Sequence, residues 1–228
     1  MRLRRTVQLA LMAFSLPSLL GAGSLITTQQ YARKNSKDKL YLQKGDLRIE
    51  TEGGQVMIFH AADNGLWLLD PARKTYIDVG AELSARSGHP AGARLDTVPA
   101  TYQKVASGVD VNGFKADQYD VLQGTEKIAE VWLADPKTIG VDPADAAGFR
   151  LLTKRLGYPA PAYFGFALSE GSPEGVPVRT VTYSKGQRIS INEFQDVKQQ
   201  EMPASLFDLP KDFKPGPVAA SPGGPGAR

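Results

Sequence analysis

Two neighbouring segments of the chain are apolar at every position. Val56–Phe59 form the first segment and Leu66–Leu69 form the second, with a short polar stretch between them. A strand that exposes one face to water alternates apolar and polar residues, because successive side chains point to opposite faces. Both faces of this predicted hairpin should therefore be buried, so other parts of the fold have to cover two faces.

Other segments alternate cleanly, and short turn signals separate them. In two adjacent segments, Leu40, Leu42, Leu47 and Ile49 fall on one predicted face. Turn signals occur at Lys44-Gly45, Asn64-Gly65, Asp70-Pro71, Asn112-Gly113, Gly124 and Lys185-Gly186. Such signals between apolar segments indicate tight hairpins, which predicts an antiparallel meander rather than βαβ units.

One segment has the pattern of an amphipathic helix, predicted over residues 142–157. Asp142 is a suitable N-cap, and proline is favoured at the first helical position, which Pro143 would occupy. Phe149 and Leu152 belong to a narrow apolar stripe on one side of this helix. Such a stripe requires an apolar partner, so we expect the helix to lie on the sheet.

Two segments lack the patterns of strands or long helices. Residues 80–100 are rich in Gly, Ala, Ser and Pro, and we expect a long loop with at most a short helical turn. Residues 214–228 are rich in Pro and Gly, which predicts a disordered tail. Residues 24–213 are long enough for one domain with a sizeable core.

Residues 1–23 have the three parts of a secretory signal peptide: a start with three Arg, an apolar middle and a small-residue end. Cleavage is predicted near Gly23 or Ser24, which would place the mature protein in the periplasm. No Cys follows the apolar run, so no lipid anchor is expected. An N-terminal membrane anchor is the alternative, although the run is short and interrupted for a bilayer span. Sec and twin-arginine export both stay open.

Charge and cysteine content narrow the function classes. The chain has 27 Lys and Arg against 24 Asp and Glu, and the three Arg near the N-terminus account for the whole surplus. A mature protein without excess positive charge is a poor nucleic-acid binder, so no nucleic-acid partner is expected. The absence of Cys excludes thiolate metal sites and Cys nucleophiles.

Candidate catalytic residues are few. His60 and His89, the two His residues, are far apart and match no metal-binding spacing. We interpret His60 as a strand-end residue with hydrogen-bond partners, the alternative being a ligand or a catalytic base, and we expect His89 in solvent. No Ser lies in a nucleophile elbow, and no Gly-rich loop joins a strand to a helix. We therefore predict no enzymatic activity, cofactor or metal.

Five motifs follow one another in a fixed order: YLQKGDLRIE at 41–50, LLDPARKTYIDV at 68–79, VNGFKADQYDV at 111–121, KIAEVWLADP at 127–136 and EMPASLFDLPKDF at 201–213. Together they resemble a family of exported bacterial proteins of unknown function, itself similar to the outer-membrane lipoprotein carriers and receptors of the Lol superfamily. The resemblance implies an α+β, mostly antiparallel fold: a strongly curved half-barrel sheet with one or a few helices on its concave face. The carriers use more than one helix as a lid, whereas this chain has one convincing helix.

Two functional hypotheses follow. In the first, the protein is a periplasmic, non-enzymatic protein that binds an apolar ligand in the half-barrel concavity, such as an acyl chain, a lipid or a lipoprotein. The predicted cavity-wall residues are Phe59, Trp67, Trp132, Phe149 and Leu152. In the second, it is an envelope protein-interaction module or sensor whose concave face is filled by its own helix and loop.

Overall fold

The computed structural model describes residues 20–32, 35–82, 99–156, 168–169 and 171–216. The strands are β1 (Leu20–Tyr31), β2 (Ser36–Gln43), β3 (Asp46–Glu50), β4 (Val56–His60), β5 (Gly65–Asp70), β6 (Thr75–Asp78), β7 (Ala100–Val111), β8 (Phe114–Gln123), β9 (Glu126–Ala134), β10 (Val176–Ser184), β11 (Gln187–Pro203) and β12 (Lys214–Pro215). Helix α1 spans Pro143–Leu156, and two 3₁₀ turns, η1 and η2, span Pro136–Ile139 and Ala204–Phe207. Within these ranges, the twelve strands form one open sheet in the order β12-β6-β5-β4-β3-β2-β1-β11-β10-β9-β8-β7. The predicted curved half-barrel of antiparallel strands with few helices is confirmed.

The predicted turns close the hairpins because their residues adopt the left-handed backbone conformation that tight turns require. Lys44-Gly45, Asn112-Gly113 and Lys185-Gly186 each join two strands with two residues, and all six residues have positive φ. Positive φ at both central residues defines the type I′ turn, whose twist matches that of the flanking strands. Two meanders result, β1–β6 and β7–β11, and the pairing of β1 with β11 joins them.

The strand register sorts the core side chains onto two faces. The face that carries α1, here called the helix face, buries Ile26, Leu40, Leu42, Leu47, Ile49, Met57, Phe59 and Leu66. On β4 and β5, the opposite face carries a separate apolar cluster of Val56, Ile58 and Leu69. The sheet therefore has buried apolar side chains on both sides of this hairpin, as its sequence predicts.

Helix α1 begins as predicted, with Asp142 as its N-cap. Asp142 Oδ1 accepts a hydrogen bond from the backbone N–H two residues further on, at 2.7 Å. Phe149 and Leu152 are buried in the helix-face core. The helix lies very close to the turn between β2 and β3, since a Cβ added to Gly148 would be 2.7 Å from the carbonyl oxygen of Gly45. Only glycine at position 148 permits this approach.

Asp145 ties the N-terminal half of α1 to the sheet. Its Oδ1 accepts a hydrogen bond from the Lys44 backbone N–H at 2.7 Å, and its Oδ2 accepts one from Ser24 Oγ at 3.1 Å. Gln199 Nε2 donates in turn to Ser24 Oγ at 2.7 Å, which extends the network to β11. Burial raises the pKa of Asp145, although the two hydrogen bonds that it accepts act in the opposite direction.

The C-terminal segment covers the opposite face of β4 and β5. Leu209 and Phe213 pack against the cluster that contains Ile58. The Arg48 Nη1 group donates to the Leu206 carbonyl oxygen at 3.1 Å and fixes η2 over β3. The core cluster that includes Phe149 and Leu152 of α1 thus buries one face of the doubly apolar hairpin, and this segment covers the other.

Two predicted boundaries differ from the structure. Residues 214–216 do not belong to a disordered tail, because the chain after Phe213 runs along the free edge of β6. There the Lys214 N–H donates to the Lys74 carbonyl oxygen at 3.0 Å, and the Gly216 N–H donates to the Tyr76 carbonyl oxygen at 2.8 Å. At the other end, β1 begins at residue 20, within the predicted signal peptide, so the cleavage position stays a prediction.

Three other sequence predictions concern segments that lie wholly or partly outside the described residues. Residues 79–82 are helical, but 83–98 of the predicted long loop lie outside the described residues. The same holds for residues 1–19 and 217–228. In the described part of the chain, no helix is long and apolar enough to cross a bilayer.

Replacing Asp145 with Ala should lower the free energy of unfolding by about 1 to 3 kcal/mol, because the buried Ser24 hydroxyl and Lys44 N–H would lose their acceptor. Asp145→Asn is the matched control. Its amide oxygen can still accept the hydrogen bond from the Lys44 N–H, so its free energy of unfolding should fall by less than that of Asp145→Ala. Urea unfolding measures both variants. Equal losses for Ala and Asn would contradict the anchoring role of this side chain.

Phe207→Ala should cost about 3 kcal/mol, because Phe207 is 1% exposed in the segment that covers the opposite face. Val105, which is 55% exposed on β7, provides the control, and Val105→Ala should stay within about 0.5 kcal/mol of the wild type. Urea unfolding followed by Trp fluorescence measures both. A loss for Phe207→Ala as small as the control's would show that the C-terminal segment adds little to stability.

Candidate functional site

Four of the five predicted wall residues belong to one buried cluster: Phe59, Trp132, Phe149 and Leu152. Trp67 does not. Trp67 pairs across the sheet with Ile58 and packs in the separate cluster on the opposite face. Neighbouring residues of a strand point to opposite faces, so Trp67 cannot line a cavity on the helix face. Its assignment as a wall residue is corrected.

The strand register turns Trp132 to the side opposite its neighbour Val131, which pairs with Thr180 on the helix face. Trp132 pairs with Arg179, whose guanidinium carbon lies 4.8 Å from the Trp132 ring centroid, and Arg179 Nε lies 3.2 Å from Glu193 Oε1. Trp132 is nevertheless 6% exposed and belongs to the same buried cluster as Phe59, Phe149 and Leu152. Its assignment as a wall residue stays a prediction.

Beyond α1, the helix face contains a small cavity with polar walls, which we call the polar chamber. Its volume is about 100 Å³. It is lined by Thr28, Gln30, Asp38, Leu40, Ile49, Thr51, Gln55, Met57, Leu68 and Asn192. Apolar and polar side chains therefore meet here, at the end of β2 and β3 that lies away from the Lys44-Gly45 turn.

Two buried oxygen atoms in the chamber have no hydrogen-bond partner among the described residues: Thr28 Oγ1 and Asn192 Oδ1. Thr28 is fully buried, and Asn192 is 8% exposed. Thr28 pairs with Asp38 across β1 and β2, and Asn192 pairs with Gln30 across β11 and β1. A buried polar atom without a partner costs about 1 to 3 kcal/mol, so these atoms mark a place suited to a polar ligand group.

Among the described residues, Asp38 is the one ionisable side chain that lines the polar chamber. Its Oδ1 accepts a hydrogen bond from the Glu52 backbone N–H at 3.3 Å. Burial raises the pKa of Asp38, and the negative charge of Glu52 raises it further, while hydrogen bonds from the Glu52 backbone and from Ser36 lower it. A positively charged neighbour would offset the cost of burying this carboxylate.

A second cavity, which we call the edge cleft, adjoins the chamber at the β4–β6 edge of the sheet. Its volume is about 400 Å³, and it shares Gln55 and Leu68 with the chamber. It is lined by Gln55, Leu68, Leu69, Asp70, Arg73, Thr75, Tyr76, Ile77 and Gly216. This volume lies in the range of roughly 300 to 1,000 Å³ that is typical of small-molecule sites.

A larger cavity of about 590 Å³ lies at the other end of the sheet, between β8, β9 and η1. It is lined by none of the predicted wall residues, and two of its charged residues form ion pairs. Asp117 pairs with Lys104 at 2.7 Å, and Lys115 pairs with Asp110 at 3.1 Å. Among the described residues of its lining, no buried polar atom lacks a partner. The chamber and the edge cleft are therefore the better candidate site.

His60 is a strand-end residue with partners, as interpreted from the sequence. Its Nδ1 lies 3.0 Å from Asp63 Oδ1, and its Nε2 lies 3.9 Å from Asp46 Oδ2. Burial alone would lower the pKa of His60, but the hydrogen bond to Asp63 and the negative charges of Asp46, Asp63 and Asp208 raise it above its usual value. His89 lies outside the described residues. Across the described ranges, no group of three or more His, Cys, Asp or Glu is placed to hold a metal ion.

The sequence analysis missed Thr28, Asp38 and Asn192. A signal existed for Asp38, which lies two residues before Leu40 and therefore shares its buried face. Thr28 follows Ile26 in the same way. A polar residue in the apolar phase of a strand predicts a buried polar group, and such groups are often functional.

A protein family described as "Domain of unknown function (DUF4412)" matches residues 22–213. The prediction of a family without assigned function is thereby confirmed, while the relation to the lipoprotein carriers stays a prediction. A search of curated proteins found no match to the chain.

Two solved structures share a general likeness with the fold. The crystal structure of MucB in complex with MucA(peri) is 11% identical, with a TM-score of 0.43, over 87% of this chain and 58% of that one. The complex structure of Pseudomonas aeruginosa MucA/MucB is 12% identical, with a TM-score of 0.42, over 87% and 59%. This chain thus spans less than two thirds of their length. A likeness at this level identifies no shared partner.

The raised pKa of His60 makes stability depend on pH. The imidazolium gains its interactions with Asp63 and Asp46 only in the folded chain, so their contribution is complete below the unfolded pKa of about 6.5 and is lost as pH rises through the folded pKa. His60→Gln should therefore lower the free energy of unfolding at pH 5.5, by less than about 1 kcal/mol for this partly exposed pair, and have little effect at pH 8.5. Urea unfolding at the two pH values measures this. A loss of the same size at both would contradict the assignment.

Proposed function

We propose that this chain, which belongs to the DUF4412 family, is a non-enzymatic periplasmic protein that binds an apolar chain, such as an acyl group, on the helix face of its half-barrel. The observation that carries the proposal is the pair of adjoining cavities, the polar chamber and the edge cleft, with Leu68 as a common wall. Both cavities combine apolar side chains with polar ones, and a small-molecule site likewise uses apolar walls for affinity and placed polar groups for orientation.

The walls of the two cavities support an apolar ligand. Leu40, Ile49 and Met57 are buried on the helix face and line the chamber. Leu68 and Ile77 continue this apolar surface into the edge cleft. The charged residues of the cleft are Asp70 and Arg73, which pair with each other at 3.7 Å. A chain entering at the sheet edge would therefore contact apolar side chains along its path.

The proposed compartment rests on the N-terminal segment, which has the charged start, apolar middle and small-residue end of a secretory signal. The balanced charge of the remaining chain supports a small apolar ligand over a nucleic acid. The arrangement of His60 with its carboxylate neighbours is one of stabilising pairs, which supports a binding role rather than catalysis.

A second candidate, an envelope protein-interaction module, follows from the close packing of α1. Phe59, Phe149 and Leu152 fill the space beneath this helix, and each is at most 2% exposed. The edge strand β7 offers a surface instead, since it ends the sheet and its Val105 is 55% exposed. Free strand edges bind extended peptides by adding a strand.

Leu68→Trp is the sharpest test of the first candidate, because the larger side chain would fill the junction of the two cavities. Val105→Trp is the control, as it adds an indole at an exposed site. Native mass spectrometry of protein purified from the periplasm without detergent, before and after addition of dodecanol, measures bound ligand. We expect uptake by the wild type and the control, and at least a tenfold loss in Leu68→Trp.

Thermal unfolding of both variants checks that each still folds. Uptake by folded Leu68→Trp equal to that of the wild type would contradict the proposed site. A wild type that takes up neither a cellular lipid nor dodecanol, but recovers one envelope protein in stoichiometric amount, would favour the interaction module.

A further inference from the structure

We infer that the polar chamber selects ligands whose polar end is a primary alkylammonium group. This inference rests on the proposed function, because it assigns the head of the ligand whose apolar chain lies in the edge cleft. It starts from three chamber-lining residues whose side chains carry oxygen atoms: Thr28, Asn192 and Asp38.

The oxygen atoms of these side chains can accept hydrogen bonds, so they suit a ligand group that donates them. Thr28 Oγ1 and Asn192 Oδ1 are buried without a partner among the described residues. The Asp38 carboxylate has room for further donors, since its two oxygens offer about four lone-pair sites. A primary ammonium carries three N–H donors and no acceptor. The three oxygen-bearing side chains of the chamber therefore offer one acceptor for each of its N–H groups.

The negative charge of Asp38 in the chamber also favours an ammonium group. Asp38 is 8% exposed, and no Lys or Arg in the described ranges lines the chamber with it. The flanking Lys37 and Lys39 are exposed, because alternation along β2 turns them to the opposite face. A buried carboxylate without a cationic neighbour attracts a cation strongly, because water does not screen it.

The same geometry disfavours other polar ends. A carboxylate or phosphate would face Asp38 as a like charge and would leave the chamber oxygens without donors. A trimethylammonium is cationic but has no N–H to donate to Thr28 or Asn192. A hydroxyl has one donor for three oxygens. These alternatives define the ligands of the test.

The test compares four probes with the same twelve-carbon chain: dodecylammonium, dodecyltrimethylammonium, dodecanol and dodecanoate. Isothermal titration of the exported protein, with each probe below its micellar concentration, measures affinity. We expect dodecylammonium to bind at least tenfold tighter than each of the others. Lysophosphatidylethanolamine and lysophosphatidylcholine then distinguish a lipid head group from a free alkylamine as the source of the ammonium.

Asp38→Asn should reduce the affinity for dodecylammonium at least tenfold and leave that for dodecanol within about twofold. Asp196→Asn is the matched control, because the half-exposed Asp196 on β11 lines neither the chamber nor the edge cleft. Thr28→Val provides a second variant of nearly unchanged shape, for which we expect a severalfold loss confined to dodecylammonium.

The outcomes separate this inference from the proposed function. Equal binding of dodecylammonium and dodecanol by the wild type, with both blocked by Leu68→Trp, would overturn the ammonium assignment and keep the apolar site. A loss of ammonium preference in Asp196→Asn as large as that in Asp38→Asn would also overturn it. No binding of any probe would overturn both proposals.

Discussion

The fold depends on one constraint: the hairpin of β4 and β5 is apolar on both faces, so it must be covered twice. The helix face is closed by α1 and its core partners, which the Asp145 network holds against the turn between β2 and β3. The opposite face is closed by Leu209, Phe213 and the turn η2. Because that segment ends as β12 on the edge of β6, the chain after β11 stabilises strands that lie far from it in the sheet order.

Against this apolar background, the polar chamber departs from the pattern of its own strands. Thr28 and Asp38 share the face of Ile26 and Leu40, yet they place oxygen atoms where the sheet otherwise buries hydrocarbon. Burying such groups reduces stability unless they are paired. Sequences keep departures of this kind mainly where function requires them. The chamber is therefore a stronger candidate than the larger cavity beside η1, whose described lining has no buried polar atom without a partner.

Features that local sequence determines were predicted well. Type I′ turns follow from residue pairs such as Lys44-Gly45, and α1 follows from Asp142, Pro143 and its apolar stripe. The faces of Trp67 and Trp132 were not predictable in the same way, because a strand that is apolar at successive positions gives no sign of which face the helix will cover. The cover of the opposite face was missed because Phe213 reaches it only through tertiary packing.

Helix α1 and the chamber lie at opposite ends of β2, so packing of the helix and binding in the chamber use different parts of the sheet. Asp145 anchors α1 at the Lys44-Gly45 end of β2, whereas Asp38 lies near the other end of that strand. Five residues of extended strand separate Asp38 from Gln43, a distance of about 17 Å. The ligand proposed above, entering through the edge cleft, would therefore reach the chamber without displacing the tightly packed Gly148. The proposed binding thus requires no movement of α1.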